Sequence, residues 1–120
     1  MKEVVCKKEE LSPGNIMSAN VGPIPIVLCR TPDGEFYAFT NKCVHQGAAM
    51  SEGVLCGAPA PTDTPGEYNY EKEGEILRCP WHGIEYDIKN EGRMLVDPNR
   101  KLGNFNVSFE ADNVIVSTKQ

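Results

Sequence analysis

The sequence predicts an all-β fold, an antiparallel β-sandwich or barrel, and three observations carry that expectation. Segments rich in branched and aromatic residues are short and bounded by Gly, Pro, Asn and Asp. Two of the gaps between them read as hairpin tips, Thr31-Pro32-Asp33-Gly34 and Ala111-Asp112. No segment sustains a helical period over three turns. Short strands at this spacing are the pattern of sandwiches and barrels.

Residues 1–7 read as a first strand, and Leu11-Ser12-Pro13-Gly14 as a turn. Residues 24–30 form a strongly apolar strand and 35–40 another, joined by the Asp-Gly turn, where Gly tolerates positive φ. Residues 76–79 and 84–88 are further short candidates. The tail is clearer: residues 104–110 and 113–118 both alternate, with Ala111-Asp112 between them. Residues 56–75 stand apart, with three prolines and almost no aliphatic periodicity, and read as a long surface loop.

A chain of 120 residues points to one domain, 1–120, with a modest core. Its net charge of −5 argues against nucleic acid, whose binding rests on Lys and Arg neutralising phosphates. It suits a partner with a basic docking face. No apolar run approaches the length that spans a bilayer, so no membrane partner is expected. The opening MKEVVCKKEELSPG carries charges where a signal peptide needs an apolar stretch, so a cytoplasmic location is expected. Five cysteines (6, 29, 43, 56 and 79) in a reducing compartment read as ligands or thiols rather than disulfides. Cys6 and Cys29 fall in strand patterns and read as small buried residues. Glu52, Glu67, Glu71, Glu73 and Glu75 form an acidic run, a solvated face or one that steers a basic reductase.

The two histidines carry the strongest signal. His45 follows Cys43 by two residues, and His82 follows Cys79 by three in Cys79-Pro80-Trp81-His82. Two Cys/His pairs, each in a tight span, meet the needs of a four-ligand metal site. A Cys2His2 zinc site is one reading, though its usual signature pairs Cys with Cys and His with His. A [2Fe–2S] cluster with two Cys on one iron and two His on the other is the second, and mixed halves suit it. Four unconnected residues are the third.

The stretches CVHQGAAMSEG and CPWHGIEYD resemble the two ligand loops of Rieske proteins, C-x-H and C-x-x-H across a long gap. Gly47, Gly53 and Gly83 stand where such loops need room, with Pro80 after the second Cys. The segment Pro32-Asp33-Gly34-Glu35-Phe36-Tyr37-Ala38-Phe39 resembles the family's approach to its first loop, and the likeness runs from about Glu10 to about Ser117. The resemblance implies the Rieske fold. A β-sandwich or barrel base, about 1–40 and 89–120, would carry a small cluster-binding subdomain of two loops, about 41–88. It implies one [2Fe–2S] cluster held by Cys43, His45, Cys79 and His82. Electrons would pass singly from a reductase to a terminal oxygenase. Alternatives are a small subunit of another oxidoreductase, resembling that of nitrite reductases, and a zinc-stabilised interaction module. Members from membrane complexes have a disulfide whose halves would fall at Ala48 and Trp81, and a hydroxyl at the place of Ile84. Both are missing here, while Tyr86 is retained, so a low potential is expected, slightly raised by Tyr86. Trp81 is expected to cover the cluster, Gln46 to line its exposed edge, and Cys56 to take no part. The 33 residues between His45 and Cys79 exceed the gap of compact Rieske ferredoxins, the excess being 56–75.

Overall fold

A computed structural model of the protein describes residues 1–43, 49–60, 69–80 and 83–118, with the backbone alone at 57–60 and 69–74. Among the described residues there are ten strands and no α-helix. Six form one antiparallel sheet: β1 (Lys2–Lys7), β2 (Asn15–Val21), β3 (Ile24–Arg30), β4 (Phe36–Thr40), β9 (Asn104–Glu110) and β10 (Asn113–Thr118). Their order is β1-β10-β9-β4-β3-β2. The end strands β1 and β2 come together, and the Gly22 N–H donates to the Glu3 carboxylate at 2.9 Å. The sheet is therefore curled nearly into a barrel.

The hairpins sit where the turn residues place them. Gly34 adopts φ +92 in the β3–β4 turn, which the Gly34 N–H closes onto the Thr31 carbonyl at 2.9 Å. Ala111 adopts φ 54 at the β9–β10 tip. Strand β2 was not expected, because Asn and Ser weaken its β signal. Its Met17, Ala19 and Val21 nonetheless alternate inward, and Gly22 at φ +59 turns it into β3.

A second sheet of order β5-β6-β7-β8 comprises β5 (Val54–Ala60), β6 (Asn69–Arg78), β7 (Glu85–Asp87) and β8 (Arg93–Met94). It corrects the reading of 56–75 as one long loop. Most of that segment is the paired arms of a hairpin, with Ala58, Pro59 and Ala60 opposite Glu71, Tyr70 and Asn69. Residues 61–68 lie outside the described residues. Pro59 misled the sequence reading, yet β5 is an edge strand, where a proline withholds no needed donor. The register shift between Cys56 and Ala58 further blurs the alternation.

Two cores hold the layers. Strand β3 serves both, which is why its middle, residues 26–29, is apolar throughout. Ile26 and Leu28 point into the curled sheet with Leu11, Val21, Ala38, Val114 and Val116. Val27 and Cys29 point the other way, toward Leu77 and Tyr86 of the small sheet, with Phe39 and Leu102. Each fully buried aliphatic side chain contributes about 1.5–3 kcal/mol. This second core is the floor on which the candidate site rests.

Candidate metal centre

Cys43 lies three residues beyond β4. The Asn41 N–H donates to the Pro25 carbonyl at 3.1 Å, tying this exit to β3. Cys43 itself is 2% exposed, in the core between the sheets. Cys79 lies one residue beyond β6 and is 3% exposed in the same core. Its N–H donates to the Ile84 carbonyl at 2.8 Å, closing the turn that leads into β7, and Gly83 takes φ +68 there. The fold thus brings together two cysteines that are 36 positions apart in the chain. Tyr86, fully buried on β7, places its hydroxyl 3.2 Å from Cys43 Sγ. Opposite a thiolate that hydroxyl must donate.

The return of the first loop is tightly built. A short 3-10 turn, Met50–Glu52, buries Met50 in the core that holds both cysteines. A Cβ on Gly53 would stand 1.9 Å from the Arg78 carbonyl oxygen, so only glycine lets the two loops approach this closely. Ile84 packs half-buried against the core and carries no donor.

His45 and His82 lie outside the described residues, as do Gln46, Gly47, Ala48 and Trp81. Of the remaining cysteines, Cys56 was expected to open the long loop and stands instead on β5. Cys6 and Cys29 are buried in strands, and burial pushes the Cys29 thiol far above its ordinary value. Cys56 is half-buried on the small sheet, its thiol 3.6 Å from the Glu85 carboxylate that Arg78 bridges at 3.0 Å. Burial pushes that thiol up as well, with Arg78 opposing and Glu85 adding. The acidic run is not all solvated face: Glu75 reaches Lys89 Nζ at 3.6 Å. Sequence reasoning also missed a polar pair at the mouth of the first loop, Asn41 and Ser51, joined by two hydrogen bonds.

Two buried sulfur donors facing one dry core, with a hydroxyl aimed at one of them, fit an iron–sulfur group. The family model of the Rieske [2Fe-2S] domain matches residues 1–106. The chain belongs to the Rieske [2Fe–2S] domain family. The family's cofactor is one such cluster per domain, so this Rieske chain carries one. It is 27% identical over 112 residues to the ferredoxin component of biphenyl 2,3-dioxygenase from Rhodococcus jostii (strain RHA1), covering 93% of this chain and 88% of that protein. A solved complex of reduced oxygenase and oxidized ferredoxin in carbazole 1,9a-dioxygenase contains a chain that superposes with a TM-score of 0.75 at 29% identity, covering 99% of this chain and 95% of that one. A chain assigned as an NADPH nitrite reductase small subunit superposes with a TM-score of 0.70 at 20% identity, covering 97% of each, a likeness of fold. Among the described residues no helix is long and apolar enough to cross a membrane.

Proposed function

We propose that this Rieske chain is a one-electron carrier that takes electrons from a reductase and delivers them to a terminal oxygenase. Cys43 and Cys79 bind one iron of its cluster, and His45 and His82 bind the other. The observation that carries this reading is the placement of Cys43 and Cys79 in one buried core, with the Tyr86 hydroxyl on Cys43. The near full-length match to a dioxygenase ferredoxin component supports the choice of partners.

When bound, the cluster supplies a reversible one-electron couple. The protein's own groups set its surroundings. Met50, Leu77 and Leu102 exclude water around the cysteines. Tyr86 donates toward Cys43, which favours the more negative, reduced state and raises the potential. Ile84 offers no side-chain donor toward the cluster, which leaves the potential low. The ligands belong to a cluster-binding subdomain, about 41–88, seated on a base of about 1–40 and 89–120, with β8 continuing the small sheet. A cytoplasmic location fits this role.

The assignment is tested by substitution. Cys43→Ser, Cys79→Ser, His45→Ala and His82→Ala each lose the visible spectrum of the native cluster, whereas Cys56→Ser keeps it. Retention of the native spectrum in either histidine variant would overturn the ligand set. Reduced protein should be reoxidised by a Rieske-type terminal oxygenase within single turnovers, and failure with every such acceptor would overturn the partner.

A further inference from the structure

Resting on that reading, we infer that Asn41 and Ser51 form a clasp that fixes the two ends of the first ligand loop, making both positioning residues for cofactor retention. The Asn41 amide donates to Ser51 Oγ at 2.9 Å, and the Ser51 N–H donates to Asn41 Oδ1 at 2.8 Å. The two residues are ten positions apart and bracket Cys43. One bond uses the serine side chain and the other its backbone, so the pair fixes both the position and the direction of the returning chain.

The clasp is anchored on both sides. The Asn41 backbone N–H is bonded to the Pro25 carbonyl, so one jaw belongs to the large sheet. The other jaw sits in the Met50–Glu52 turn, whose Met50 is fully buried. That turn closes through the Gly53 N–H to the Met50 carbonyl at 3.0 Å, and Gly53 then lies against the Arg78 carbonyl, one residue before Cys79. Opening the clasp therefore frees the segment that carries Cys43 and loosens its seat against the segment that carries Cys79. Neither Asn41 nor Ser51 is itself a ligand in the proposed set, so the effect runs through the loop.

The polarity of the pair predicts a graded series. Each neutral hydrogen bond contributes about 0.5–1.5 kcal/mol, so losing one speeds an opening step by roughly two- to tenfold. Asn41→Ala removes both bonds. Ser51→Ala removes only the one to Oγ. Asn41→Asp preserves both: its carboxylate accepts the Ser51 N–H and takes the serine hydroxyl as a donor. The rate at which a chelator strips iron from the loaded protein should rise about tenfold in Asn41→Ala and about threefold in Ser51→Ala, and stay near wild type in Asn41→Asp. In the iron-free protein, amide exchange at residue 51 should quicken in the same order.

Lys89→Met, far along the chain from the loop, serves as a control that lowers thermal stability. If loss of fold stability alone set iron release, Lys89→Met would release iron as fast as an Asn41 variant of equal melting temperature. That result, or an unchanged rate in Asn41→Ala, would overturn the clasp while leaving the carrier reading intact. A wild-type chain purified without iron and inorganic sulfide would overturn both together.

Discussion

At Cys43 a buried hydroxyl stands within hydrogen-bond distance of the sulfur. Tyr86 is fully buried and its oxygen sits 3.2 Å away. If that bond is worth about 1 kcal/mol more in the reduced state, it corresponds to about 40 mV for one electron. Tyr86→Phe should therefore lower the midpoint potential by about that amount, measured by redox titration, with the cluster retained. An unchanged or raised potential would mean that the hydroxyl does not donate to the ligated sulfur. Cys43 was legible in the sequence as a candidate ligand because few side chains can serve as metal ligands and its spacing from His45 leaves a recognisable trace, whereas Tyr86 was read only from the family resemblance. Asn41 and Ser51 were not legible. Polar residues of their kind occur in most turns, and nothing in their types says that they face each other.

At the scale of elements, two loops meet at one glycine. Gly53 passes so close to the Arg78 carbonyl that any Cβ would force the backbones apart. Overpacking of this kind costs about 1–3 kcal/mol. Gly53→Ala should thus lower the melting temperature by roughly 4–8 °C for each kcal/mol lost and weaken cluster binding at the same time. A fully stable, fully loaded Gly53→Ala protein would show that the loops tolerate separation. The strands around this contact were unequally legible. Ile24–Arg30 stood out because both its faces are buried, and Asn113–Thr118 because Val114 and Val116 alternate toward the core. Strands β2 and β5 were missed. Their order comes from main-chain pairing with β3 and β6, and Asn, Ser, Gly and Pro within them carry the opposite local preference. The physical cause is tertiary: a neighbouring strand supplies hydrogen bonds that local composition cannot announce.

At the scale of the whole molecule, Lys89 ties the two sheets together. Its ammonium lies 3.0 Å from both Asp33 and Glu35 at the β3–β4 turn, and 3.6 Å from Glu75 on β6. Asp33 and Glu35 are more than half exposed, so salt screens their pairs with Lys89 and the link is modest. Its pH signature is nevertheless defined. The Thr31 hydroxyl, and after it Lys89, hold the Asp33 carboxyl down at about 2. A carboxyl depressed in the folded state contributes stability above its unfolded value, near 4, and loses it as pH falls toward 2. The melting temperature should therefore fall across pH 4 to 2. Lys89→Met should flatten that fall, and Thr31→Val should flatten it more. An identical slope in all three proteins would remove this link from the account.

The central claim concerns the cluster itself, and electron paramagnetic resonance of the reduced protein tests it most directly. Two histidines on one iron predict a red-brown protein whose reduced form gives one signal, with an average g below that of an all-cysteine [2Fe–2S] ferredoxin. A colourless protein, silent on reduction and holding one zinc without inorganic sulfide, would contradict it.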